Sequence, residues 1–268
     1  MSIDETALSR GELYTIITNK AAKGRKGALF AMIKGTKAEV ICKIIKQLPR
    51  SVRYKCKEIT LDFANNMSLI AKECFPQAIQ VSDRFHLHKL VHEALQDVRV
   101  KYRWLALDAE NRAIKEFGRG YKAEVLENGD TLKQLLVRSR YLLYKTPEKW
   151  SESQKERAKL LFEKYPEIQG AYQHAVNLNN VYRAKSREVA YTSLAKWYDV
   201  VEKSEIGAFA TVAKTIMNNY RTILNFFDNK STNASAECFN AKIKAFRTQF
   251  RGVTDIKFFL FRIAKIFA

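Results

Sequence analysis

Cysteine is scarce and badly placed for metal work. The 268-residue chain holds four, Cys42, Cys56, Cys74 and Cys238, with no Cys-x-x-Cys pair. That spacing excludes a zinc ribbon and predicts reduced, mostly buried thiols in a cytoplasmic protein. Long apolar runs are also missing. Phe258 to Phe261 is broken by Arg262 and Lys265, so no stretch can span a bilayer, and no acylation signal is present. The first residues are too polar for a signal peptide. No repeat period and no low-complexity segment occurs. Acidic residues are few, 28 against 47 Lys and Arg, for a formal charge of +19. The excess is spread along the length rather than gathered in a tail, which predicts a broad phosphate-binding surface. Hydrophobic residues make up 47 %, enough for a folded protein with a real core.

Because acids are few, their positions are informative. Ile3-Asp4-Glu5-Thr6 reads as a first strand and Ser9-Arg10-Gly11-Glu12 as a turn. Tyr14 to Thr18 is the returning strand, rich in β-branched residues. Lys20 to Gly27 is a solvated loop carrying Lys20, Lys23, Arg25 and Lys26, and Ala28 to Ile33 is a third strand. Thr36 is the expected cap of a helix through Leu48 with Val40, Ile44, Ile45 and Leu48 as its inward stripe; Pro49 ends it. Lys57 to Phe63 is a fourth strand with Asp62 at its C-terminal end. A helix over Asn66–Phe75, a fifth strand over Ala78–Val81 and a helix beginning at Ser82-Asp83 follow. The predicted fold is α/β, an RNase H-like mixed sheet interrupted by a large all-α insertion. The core comprises 1–95 and 225–268, and the insertion 96–224. Within it Thr146-Pro147 opens a helix, Ser151-x-x-Gln154 is a capping box, and Trp104, Trp150 and Trp197 are expected in the core. His88 and His92, four apart on one helix, have a spacing that can bind zinc but no third ligand, and read as surface histidines.

Asn233 or Ser235 is the expected N-cap of a helix in which Glu237 lies in the first turn. Glu237, Asn240, Ala241 and Lys244 share one face, and Phe239, Ile243 and Phe246 form the apolar stripe. Asp4, Asp62 and Glu237 thus fall where three elements converge. Asp4 and Glu5 must point to opposite faces of their strand, so only one can take part. Converging carboxylates repel unless a hard cation separates them, and Mg²⁺ takes oxygen ligands. Two such ions suit an in-line phosphoryl displacement.

Several short words carry a resemblance: Ile3-Asp4-Glu5, Leu61-Asp62, Gln80-Val81-Ser82-Asp83-Arg84-Phe85-His86, the run Asn233 to Lys244, and Arg251-Gly252-Val253. Together they resemble bacterial insertion-sequence transposases of the DDE superfamily, in the ISL-three group. The resemblance implies Asp4, Asp62 and Glu237 as the catalytic, metal-binding triad with two Mg²⁺ or Mn²⁺ ions, and it selects Asp4 over Glu5. It implies double-stranded DNA, transposon ends and target, as the partner, engaged by a homodimer or higher assembly. Asp83, Arg84, His86, Asn240, Lys242, Lys244, Arg247 and Arg251 are the expected DNA-binding residues. Lys244 matches the Lys/Arg seven residues after the Glu, and Asp83-x-x-His86 matches a signature after the second Asp. The resemblance also implies an N-terminal DNA-binding region, with a zinc motif and a helix-turn-helix, which these residues do not contain. The expected function is metal-dependent DNA cleavage and strand transfer. The rival expectation is an inactive, truncated remnant that only binds DNA or inhibits an intact enzyme.

Overall fold

The computed structural model describes residues 1–8, 11–230, 232–249 and 255–268. Its element order is β1 (Ser2–Ala7), β2 (Leu13–Thr18), β3 (Leu29–Lys34), α1 (Ala38–Ile45), α2 (Arg50–Arg53), β4 (Glu58–Leu61), α3 (Asn65–Cys74) and β5 (Ile79–Ser82). A helical series follows: α4 (Arg84–Phe117), α5 (Leu132–Arg138), α6 (Glu152–Lys164), α7 (Pro166–Val181), α8 (Arg187–Lys203), α9 (Gly207–Leu224), α10 (Phe226–Asn229), α11 (Ala234–Gln249) and α12 (Ile256–Phe267). The chain divides into two compact units, one of Met1–Leu87 with Asn219–Ala268 and the other of His88–Asn218. Both divisions fall inside continuous helices, α4 and α9. The sequence, which shows only unbroken helical periodicity there, places them at 95/96 and 224/225 instead.

The first unit is α/β, built on a five-stranded mixed sheet in the order β3-β2-β1-β4-β5. β1–β2 and β2–β3 are antiparallel, and β1–β4 and β4–β5 are parallel. Strand alternation sorts the side chains. Ile3, Ile17, Ile33, Ile59 and Leu61 pack with Ile41, Ile45, Met67 and Ile70 of α1 and α3 on one face. Tyr14, Ile16 and Leu29 pack with Phe239 and Ile243 of α11 and Phe259 and Ile263 of α12 on the other. Register then decides where the acids go. Asp4 pairs with Ile16, so it lies on the α11 face. Ser2 pairs with Thr60 in the parallel β1–β4 ladder, which puts Asp62 level with Asp4 and on the same face.

Several expectations are corrected. α1 begins at Ala38, with Lys37 rather than Thr36 at its N-cap. It buries Ile41, Cys42 and Ile45 and leaves Val40, Ile44 and Leu48 exposed. At 100° per residue its apolar residues form one arc of about 200° centred on Ile41, opposite Glu39 and Lys43, and the expected stripe lay at the edge of that arc. Lys20 is not solvated: its ammonium donates to Thr60 Oγ1 at 2.6 Å and pairs with Glu58 at 3.3 Å. Among the cysteines Cys42, Cys56 and Cys74 are buried, and Cys238 is exposed. The turn expected at Ser9-Arg10 lies outside the described residues.

In the second unit Ser151 and Gln154 form the expected capping box, whereas Pro147–Lys149 is one 3₁₀ turn. Trp197 is buried, its indole N–H donating to His174 O at 2.8 Å. Trp104, expected in the core, is 54 % exposed. His88 and His92 are half-buried rather than superficial. Their rings lie against Tyr182 (5.4 Å) and Tyr144 (5.0 Å). Among the described residues no helix is long and apolar enough to cross a membrane.

Candidate active site

Four elements of the first unit, β1, β4, α4 and α11, bring polar groups together on the α11 face of the sheet. β1 supplies Asp4, whose Oδ1 accepts the Glu5 N–H at 2.8 Å. Its Oδ2 accepts a bond from the Asn240 side-chain amide at 2.5 Å. Burial pushes the Asp4 carboxyl above its ordinary range; the Glu5 N–H and His86 pull it down, while Asp62 and Asp83 push it up. Asp62 follows β4 and turns Oδ1 onto the Ala64 N–H at 2.8 Å, an Asx turn that leads into α3.

α4 begins at the same edge. Asp83 is 1 % exposed; its Oδ1 accepts the Phe85 N–H at 3.3 Å and its Oδ2 meets His86 Nδ1 at 2.9 Å. A carboxylate can only accept, so this contact assigns the proton to Nδ1. The Asp83 hydrogen bond raises the His86 pKa most; burial lowers it, and Asp83, Asp4 and Asp62 add further raising charge. Glu237, in the first turn of α11, is half-buried. Burial raises its pKa most, with Asp83 and Asp4 also raising it and His86 opposing.

Helix phase explains what α11 presents. At 100° per residue Asn240 stands about 60° from Glu237, Lys244 about 20° and Lys242 about 140°. Asn240 therefore lies on the flank between Glu237 and the Phe239–Ile243 stripe, and it is 6 % exposed. Its amide is held by Asp4 and its Oδ1 has no partner among the described residues. Lys244 is exposed on the Glu237 line. Asn233 immediately precedes α11, and its backbone carbonyl accepts from Ala236 and Glu237. Its side chain, 1 % exposed, makes no capping bond, and Ser235 lies inside the helix.

The expected DNA contacts therefore separate. Asp83 is buried and both its oxygens are engaged internally, so it is the N-cap of α4 and the anchor of His86. Asn240 is buried on Asp4. Lys242 sits on the far flank, its ammonium donating to Gly24 O at 3.2 Å. Arg247 lies over the Phe259 ring, 5.1 Å from its centroid, and Arg84 is half-buried at the start of α4. Arg251 lies outside the described residues. Glu5, on the opposite face from Asp4, accepts from the Asn66 amide at 2.9 Å. The Asn240–Asp4 bond is the feature that sequence reading missed. Its signal was a polar residue phased onto the buried flank of α11.

The donors fit a hard divalent cation in kind, being carboxylate oxygens on one face, with burial disfavouring the charged forms of Asp4 and Glu237. They are not drawn together to ligand distance: among the described residues no three Asp, Glu, His or Cys side chains could hold one metal ion.

A family model described as Transposase, of the ISL-three type, matches residues 1–263. The chain belongs to that transposase family. It is 27 % identical over 188 residues to the transposase for insertion sequence element IS1557 of Mycobacterium tuberculosis, covering 69 % of this chain and 42 % of the relative. It is 22 % identical over 269 residues to the transposase for insertion sequence element IS1001 of Bordetella parapertussis, covering 100 % of this chain and 60 % of the relative. The transposase chain thus spans about half the length of these relatives. No solved structure matches it.

Proposed function

We propose that this transposase-family chain is a catalytic region for DNA transposition, acting on double-stranded DNA through Asp4, Asp62 and Glu237 on an RNase H-like sheet. The observation that carries this reading is the register of β1 with β4. It sets Asp4 and Asp62 level on the face covered by α11, where Glu237 projects. The strand order β3-β2-β1-β4-β5, with three antiparallel strands followed by two parallel ones, supports the RNase H-like assignment. The formal charge of +19 supports a polyanionic substrate.

Asp4, Asp62 and Glu237 are the residues that would hold two Mg²⁺ or Mn²⁺ ions. When bound, such ions lower the pKa of an attacking water or 3′-hydroxyl and stabilise the leaving oxyanion. The other roles belong to the protein. Asn240 fixes the Asp4 carboxylate against α11, and the Ala64 N–H fixes that of Asp62. Asp83 holds the His86 ring through Nδ1, and the ring when protonated moderates the repulsion among the acids. Lys244, exposed one line along α11 from Glu237, meets a phosphate of the bound strand. The active assembly is a dimer or higher on paired DNA ends.

Metal-dependent nicking of supercoiled plasmid tests the proposal, with Asp62→Ala and Glu237→Gln as controls. The expected result is Mg²⁺- or Mn²⁺-dependent nicking that both substitutions abolish with the fold retained. Nicking that survives Asp62→Ala overturns the residue assignment. A wild-type chain that binds DNA in a salt-sensitive way but never nicks it overturns the catalytic reading in favour of a binding-only protein.

A further inference from the structure

The helical unit carries a second feature that the carboxylate site does not use. Gln96, Arg99 and Arg103 lie on one face of α4, at i, i+3 and i+7. Arg99 is 5 % exposed. Its guanidinium donates to Gln96 Oε1 at 2.7 Å and to Leu136 O, at the end of α5, at 2.8 Å. The Gln96 amide donates to Arg140 O at 3.3 Å, so Arg140 joins the same patch. The three arginines repel: burial, then Arg103 and Arg140, lowers the Arg99 pKa.

No carboxylate among the described residues relieves them. The neighbouring acids are engaged elsewhere, Glu110 by Lys133, Asp130 by Arg138 and Arg157, and Glu167 by Lys101. A groove of about 330 Å³ runs between α4 and α5, lined by Arg103, Lys133 and Arg138 with Leu107, Gln134 and Val137. Arg103 and Arg140 are each followed in the chain by an exposed aromatic ring. Trp104 is 54 % and Tyr141 68 % exposed. The Arg103 guanidinium lies 5.8 Å from the Trp104 ring centroid and that of Arg140 5.5 Å from the Tyr141 centroid.

We propose that this face of the helical unit binds an unpaired stretch of nucleic acid, with phosphates on Arg103 and Arg140 and bases stacked on Trp104 and Tyr141. A cluster of like charges without counter-ions accounts for an anion. Two open rings beside it account for planar partners, since any base presents a π-face and stacking is tolerant of sequence. A blunt duplex hides its base faces, and an acidic peptide has no need of the rings. The choice of DNA as partner rests on the function proposed above; the geometry of the patch does not.

The test uses the full chain and three probes: a fluorescein-labelled oligothymidylate of about 20 nucleotides, a blunt duplex of the same length, and heparin. Trp104→Ala and Tyr141→Ala are each expected to weaken oligothymidylate binding roughly tenfold while holding duplex and heparin binding within about twofold. Arg103→Gln and Arg140→Gln should each lower the slope of log K against log salt by roughly 0.7 on the single strand. Quenching of tryptophan fluorescence by the oligonucleotide should vanish in Trp104→Phe, because Trp197 is buried and Trp150 half-buried. Ring variants that bind the oligonucleotide like the wild type overturn the proposal, as does an equal loss for heparin, which marks a general polyanion surface. Plasmid nicking separates the two readings. Nicking that depends on Asp62 while the rings do nothing sinks this inference alone. Ring-dependent binding without Asp62-dependent nicking sinks the catalytic reading alone.

Discussion

Asn240→Asp is the substitution that interrogates the carboxylate face most directly. It replaces the amide nitrogen 2.5 Å from Asp4 Oδ2 with a second carboxylate oxygen. Two unit charges about 4 Å apart repel by roughly 4 kcal/mol at an effective dielectric of about 20. The replaced contact is shorter than that, so about 4 kcal/mol is a working figure. Asn240→Ala is the necessary reference. It removes a charge-assisted hydrogen bond worth about 1.5–3 kcal/mol, but also an unpartnered buried oxygen that costs about 1–3 kcal/mol. These offset, and alanine should shift stability by no more than about 2 kcal/mol. At about 2–4 °C per kcal/mol, the aspartate variant should melt about 8–16 °C below the wild type at pH 7.5 in EDTA.

The pH dependence has a definite sign. One carboxyl of the new pair is raised in the folded state above its unfolded value of about 4. The folded state then binds more protons than the unfolded one, so stability is intact below that value and falls as pH rises through the folded pKa. Thermal melts followed by circular dichroism at pH 4.5 and 7.5 measure this. The aspartate variant should approach the alanine variant at pH 4.5 and fall well below it at pH 7.5. Equal melting of the two at pH 7.5 would refute the placement of Asn240 on Asp4.

Other predictions follow from neighbouring contacts. Glu5→Gln, on the far face of β1 beside Asn66, should leave plasmid nicking unchanged while Asp4→Asn abolishes it; loss in both would mean the strand register is wrong. His86 has a raised pKa, chiefly through Asp83, so its contribution to stability is complete below its unfolded pKa of about 6.5 and is lost as pH rises through the folded value. Proton titration of the ring by NMR should show the raised pKa, and Asp83→Asn should bring it down. Ile243→Ala, at a fully buried position of α11, should cost about 2–5 kcal/mol in denaturant melts, since α11 closes the second face of the sheet. Lys244→Ala should weaken duplex binding without changing the melting temperature, whereas Lys242→Ala, tied to Gly24, should affect DNA far less.

Local pattern was enough to locate the strands, since β-branched runs bounded by Gly and Pro have a period of two that little else produces. The scarcity of acids drew attention to Asp62 after β4 and Glu237 in the first turn of α11, whereas the choice of Asp4 over its neighbour Glu5 came from the family resemblance. The Ser151 capping box is a local hydrogen-bond pattern and was legible. The phase of α1 was legible as well: its apolar arc centres on Ile41, and the stripe through Val40 and Ile44 lay at the edge of that arc. Partnership between distant elements was not. Asn240 is a polar residue whose partner, Asp4, lies 236 residues away on another element, and no spacing rule reports such a bond. Trp104 was expected in the core because large aromatics usually bury. It is 54 % exposed. Composition set the charge, and among the described residues no helix is long and apolar enough to cross a membrane. Tertiary structure decided which polar groups stay on the surface and which are drawn inside, as Asn240 is onto Asp4.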